Sequence, residues 1–188
     1  MRKWTILAVS VALATLLGLV AVVAAADTLP KRGTIKPLLL AGAGSQTSPG
    51  SEGCQFDPGY CDVEFQGTAQ FGPLAGLPAG PWNWTSNLRI YWNEAKPNGQ
   101  GGYCARAIGQ FTVQHSHHGS FVAHQTGTVC EVGPTGSPIP HIFEGNFTIV
   151  SGSGPKLANV GGSGTVSAYK ASDGSTSVSL SGVQFKNP

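Results

Sequence analysis

The chain has 188 residues, only 11% of them charged, four cysteines, and a formal net charge of +2 from eleven Lys/Arg against nine Asp/Glu. Arg2 and Lys3 are that excess, so the chain from residue 27 onward is balanced. With no Lys/Arg cluster it offers no electrostatic footprint for nucleic acid or an anionic lipid surface, and neither is an expected partner of the folded part.

Residues 1–26 read as a secretory signal peptide. A short basic start leads into an apolar run from Trp4 to Ala26, which closes on Ala24-Ala25-Ala26 before Asp27. The run is also long enough to cross a bilayer, which asks for about 20 apolar residues. Cleaved, it releases a secreted, extracellular protein; uncleaved, it holds the chain at the cell envelope, the one case in which a membrane is a partner. The absence of a cysteine near its end argues against a lipoprotein. Outside the cytoplasm thiols oxidise, so the cysteines are read as disulfides.

Residues 27–52 carry three prolines, small residues and no periodicity, and are read as a flexible linker ahead of a β-barrel domain at 53–188. The run Leu38-Leu39-Leu40 is the linker's one apolar spot and a candidate edge strand. From Cys61 the two-residue alternation of a half-buried strand sets in. Val63, Phe65, Ala69 and Phe71 share one face. Further on, Trp82, Trp84, Leu88, Ile90 and Trp92 do the same. Those tryptophans share their face with Leu88 and Ile90, which favours a core role over an exposed sugar-stacking platform.

Two constraints choose one register for the hairpin from Tyr103 to Glu131. Setting Cys104 opposite Cys130 leaves a three-residue loop, Ser116-His117-His118, ahead of Gly119. The same register collects Tyr103, Ala105, Phe111 and Val113 on one face with Phe121, Ala123 and Val129. Arg106, Thr112, Gln114, His124, Thr126 and Thr128 take the other face, and a slip of one residue would scatter both sets. Directly opposed residues lie within disulfide reach, so Cys104–Cys130 is the expected pair and Cys54–Cys61 follows by elimination, one of three possible connectivities. The spacings match no short zinc knuckle.

His115, His117, His118 and His124 crowd within ten residues. In this register they disperse, whereas a metal needs three or four ligands converging on one point. No metal or cofactor is expected. With a two-residue loop instead, His115 and His124 become same-face neighbours, and they are the weak metal candidates. No nucleophile elbow, His-Glu-x-x-His or phosphate-cradling loop occurs, and no catalytic residue is assigned. Glu94, Glu131 and Glu144 lie near strand ends, and a pair of them facing across a cavity would suit a glycosidase. Asn83-Trp-Thr85 and Asn146-Phe-Thr148 are formal glycosylation sequons, read as chance in a chain taken to be bacterial.

The segment from Gly145 to Thr165, followed by a strand, an Asp173-Gly174 turn and a last strand to Phe185, resembles the allene oxide cyclase-like and dirigent-like barrels. Phe147 and Ile149, then Gly152, Gly154, Gly162 and Gly164, stand at the matching positions, with Pro155-Lys156-Leu157 where a bulky aromatic is usual. The resemblance implies an all-β, eight-stranded antiparallel barrel. Seven strands are evident, and the eighth falls either in the Leu-rich run or between Phe71 and Leu77. No activity is carried over, because the polar residues that serve the plant enzymes have no counterparts here. A small barrel encloses one ligand or fills with side chains, and Trp82, Trp84, Trp92, Phe111 and Phe121 are the candidate pocket lining. Three functions fit: a non-enzymatic barrel that binds a small apolar ligand or acts as an extracellular interaction module, a cyclase or isomerase, and an envelope-associated structural protein.

Overall fold

The computed structural model describes residues 34–47, 59–78, 80–133 and 139–186. The leader at 1–26 and Cys54 lie outside them. Eight antiparallel strands in chain order close into a barrel: β1 (Lys36–Gln46), β2 (Cys61–Phe71), β3 (Trp82–Pro97), β4 (Tyr103–His115), β5 (Gly119–Glu131), β6 (His141–Ser153), β7 (Val160–Lys170) and β8 (Ser175–Lys186). Each strand bonds its sequence neighbours, and β1 closes the cylinder on β8 through Leu38↔Gly182 and Leu40↔Leu180. Full closure removes the unpaired edges that an open sheet would present.

β1 corrects the linker reading, since the barrel begins at Lys36, inside residues 27–52. Its alternation is hidden because only Leu38 and Leu40 bring bulk to the interior, while the next inward positions are Gly42 and Gly44. Side chains there would collide with the wall: a Cβ on Gly42 would lie 2.8 Å from the Trp84 indole nitrogen. The other location considered for the eighth strand, between Phe71 and Leu77, holds a 3-10 turn at Pro73–Ala75.

The β4–β5 hairpin has the register set by its cysteines. Cys104 pairs with Cys130 and His115 with Gly119, leaving the three-residue loop, and the Cys104–Cys130 disulfide staples the pair. Gly119 has φ +108°, and its Cα–H face packs on the Ser153 carbonyl, so both the turn and the close approach need glycine there. Cys61 is disulfide-bonded as well, and the partner assigned to it from the sequence, Cys54, lies outside the described residues. Ala105, Phe111, Val113, Phe121, Ala123 and Val129 are buried as expected. Tyr103 departs from that set at 46% exposure. A register shift falls between Tyr91 and Lys96, and beyond it Tyr103 pairs with Pro97, itself exposed, where the two strands end.

Two connections close one end of the cylinder. After β6, Gly154–Leu157 forms a single helical turn, α1, whose Leu157 is 1% exposed and fills the position where an aromatic was expected from the resemblance. At the 3-10 turn, Ala75 is buried and its carbonyl accepts a 2.7 Å hydrogen bond from Gln184 Nε2. Beneath these lie Leu38, Trp82 and Phe121, with Phe71 edge-on to Trp82 at 5.0 Å. The opposite end, where β1, β3, β5 and β7 finish, has no such cover among the described residues.

Candidate functional site

From the uncovered end an interior cavity of about 60 Å³ runs down the barrel axis. Trp84 and Phe111, stacked at 5.6 Å and 17°, form its floor, and the Trp84 indole N–H is satisfied by the Thr68 carbonyl at 3.2 Å. Val63, Leu88 and Ile90 form one wall; Val129, Phe143, Val166 and Val178 form the other. A cavity of about 150 Å³ admits a benzene ring. This one is less than half that size, so it takes a slender group of a few carbons.

Polar side chains occur at two levels. Halfway down, Gln125 is 4% exposed and donates from Nε2 to Ser86 Oγ at 2.7 Å and to the Gln110 carbonyl at 3.4 Å. At the mouth, Gln46, Trp92, His141, Lys170 and Thr176 surround the opening. His141, Lys170 and Thr176 are successive cross-strand partners on β6, β7 and β8, so three adjacent strands each turn one polar residue inward at the same height. Burial pushes the His141 imidazole down to about 4, with the charge of Lys170 acting in the same direction and a hydrogen bond to the Ile139 backbone opposing it. Burial likewise lowers the Lys170 amine from its ordinary value. The Nδ1 of His141 is buried without a hydrogen-bond partner among the described residues. None of the described lining residues is acidic.

Of the five aromatics proposed as lining, Trp84, Trp92 and Phe111 are in the cavity wall. Trp82 and Phe121 are not: they belong to the plug, where Phe71 packs against both. The reason is depth. Inward residues of one strand share a face but run the length of the barrel, so Trp82 lies at the closed end and Trp92 at the mouth. A strand pattern reports the face and says nothing of the height.

The histidine candidates are separated. His115 packs, with tilted rings, against His118 at 4.4 Å and Trp82 at 4.9 Å at the closed end. His124 points outward from β5, 3.4 Å from Gln110 Nε2. Of the three glutamates, Glu94 pairs with Arg106, Glu131 accepts from the Tyr103 backbone N–H, and Glu144 is exposed on β6. None of them reaches the cavity.

The sequence reading missed Ser86, Gln125, His141 and Lys170. Ser86 and Gln125 carried a usable signal, since each is a polar residue at an inward position of an otherwise apolar alternation. His141 and Lys170 stand at strand termini, where alternation gives no warning.

Fold and cavity together define a closed eight-stranded antiparallel barrel, sealed at one end and, among the described residues, uncovered at the other above a narrow apolar pocket with a polar rim. Set against models of known protein families, curated proteins and solved structures, the chain matches none of them.

Proposed function

We propose that this is a secreted, non-enzymatic barrel that binds a small apolar ligand through its open end, on a scaffold of the allene oxide cyclase-like and dirigent-like type. The observation that carries the reading is the asymmetry of the interior: one half is packed solid with Leu38, Trp82, Phe121 and Leu157, while the other half leaves about 60 Å³ lined mostly by hydrocarbon and without cover among the described residues. Interiors pack to the density of organic crystals, so a void of that size is where a ligand replaces poorly bonded water. Burying about four methylenes contributes about 3 kcal/mol, at about 0.8 kcal/mol each. Hydrocarbon alone therefore holds such a ligand weakly.

The test is native mass spectrometry of the protein taken from the exported fraction, with titration calorimetry of butan-1-ol, a neutral probe short enough for the cavity, as the solution readout. The expected results are a co-purifying species lost on denaturation and probe binding that Val166→Phe abolishes by filling the cavity. Probe binding unaffected by Val166→Phe would overturn the reading. Residence in the membrane fraction with the leader retained would instead favour the envelope-associated structural protein.

His141 and Lys170 favour a second reading, an isomerase or cyclase. A buried imidazole that stays neutral at ordinary pH is a competent proton acceptor beside an apolar pocket. That reading expects exchange of a carbon-bound proton of a bound ligand to depend on His141, and exchange unchanged in His141→Gln would remove it.

A further inference from the structure

The rim of the cavity has a polarity of its own. Lys170 is a cation at the lip of a hydrocarbon pocket, partly buried, and no carboxylate among the described residues lines that pocket with it. Its cross-strand neighbours are His141, with a buried Nδ1 that lacks a hydrogen-bond partner, and Thr176, 7% exposed and bonded only weakly to the Gly174 carbonyl at 3.5 Å. The Trp92 ring stands edge-on to His141 at 6.1 Å and walls off the far side. An ammonium and a hydroxyl at one height, beside a buried imidazole and over apolar walls, form a half-built receptor for an acceptor-only group.

We propose that the ligand is a short-chain monocarboxylate, its carboxylate held at the mouth by Lys170 and Thr176 and its few-carbon tail lying on Trp84 and Phe111. This rests on the reading of the cavity as an apolar binding site and adds the chemistry of the head group. A carboxylate accepts hydrogen bonds and donates none, so it fits a rim on which Lys170 donates outright and the Thr176 hydroxyl can turn its one proton from its long bond to the Gly174 carbonyl. The neutral ring of His141 has a single N–H, already bonded to the Ile139 backbone, so His141 walls the head group rather than donating to it. The lowered basicity that burial imposes on Lys170 is relieved by the incoming negative charge. A phosphate or other dianion would bring a second charge with one cation to meet it, and a long or branched tail exceeds the cavity.

Titration calorimetry of the folded protein with butanoate and, separately, butan-1-ol separates tail from head. At neutral pH butanoate is expected to bind at least about tenfold more tightly than butan-1-ol, the scale of one charge-assisted hydrogen bond. Lys170→Met is expected to erase the difference, with the fold of the variant checked by circular dichroism. Equal affinity of the two ligands for the unsubstituted protein would overturn the carboxylate assignment and leave the apolar pocket standing. A carboxylate preference surviving in Lys170→Met would overturn the assignment as well. Binding of neither ligand would remove the pocket reading and the proposal together.

Discussion

Gln125 and Ser86 are polar side chains held beside hydrocarbon, and they tolerate it because they satisfy each other across the barrel at 2.7 Å. A buried hydrogen bond contributes about 1 kcal/mol, but stranding one partner costs about 1–3 kcal/mol. Ser86→Ala is therefore expected to lower stability by that larger amount, and adding Gln125→Leu to recover most of it. Urea unfolding of the two single variants and the double variant gives the coupling; strictly additive losses would show that the pair is not a unit. His141 is the other residue whose surroundings set its behaviour. Unfolded, it titrates near 6.5; folded, burial holds it at about 4. Between those values the unfolded chain binds more protons, so stability is full above about pH 6.5 and is lost as pH falls toward 4, by at most about 3 kcal/mol. The carboxyls of Asp62, Glu94 and Asp173 are held below their ordinary values by Arg89, Arg106 and Ser175, and their contributions vanish only at lower pH. His141→Phe is expected to flatten the urea midpoint between pH 6.5 and 4, and a slope unchanged in that variant would assign it to other groups.

At the scale of strands, the inward glycines set the shape. Gly109 of β4 presses on the Asn87 carbonyl of β3, and Gly127 faces Gly145 while Gly164 faces Gly182 across neighbouring strands. Strands this tightly coiled approach each other where a side chain would stand, which is why glycine recurs on so many of them. Gly109→Ala is expected to cost about 1–3 kcal/mol and lower the melting temperature by several degrees, whereas the outward Ser167→Ala changes it little. A thermal melt of both variants checks this, and equal small effects would show that the wall yields. The same glycines explain what was legible at this scale. The β4–β5 hairpin could be read because cysteines and bulky residues agree on one register. β1 could not, because two of its inward positions are glycine and its alternation fades after Leu40.

For the whole molecule, β1 is the piece that makes a sheet into a barrel. It bonds β2 from Leu40↔Phe71 to Gln46↔Phe65 and β8 from Lys36↔Gln184 to Ser45↔Ser175. Without it, β2 and β8 become open edges and Trp84 loses the small-residue wall against which its indole packs. Deletion of residues 34–46 is expected to yield aggregated or unfolded protein by size-exclusion chromatography and circular dichroism. A monomer with an intact near-ultraviolet spectrum would show that the remaining strands close by themselves.

The sequence by itself determined the all-β class, the faces of β2 through β5, the hairpin register and the Cys104–Cys130 staple, because alternation and cysteine spacing are local or nearly local signals. Only the tertiary structure decided which end of the barrel is plugged, which of the five aromatics line the cavity, and that His141, Lys170 and Thr176 meet at its mouth. Those are matters of depth along the axis and of neighbours on different strands. They depend on how strand ends stagger when the sheet closes, a quantity that the alternation of any single strand does not contain.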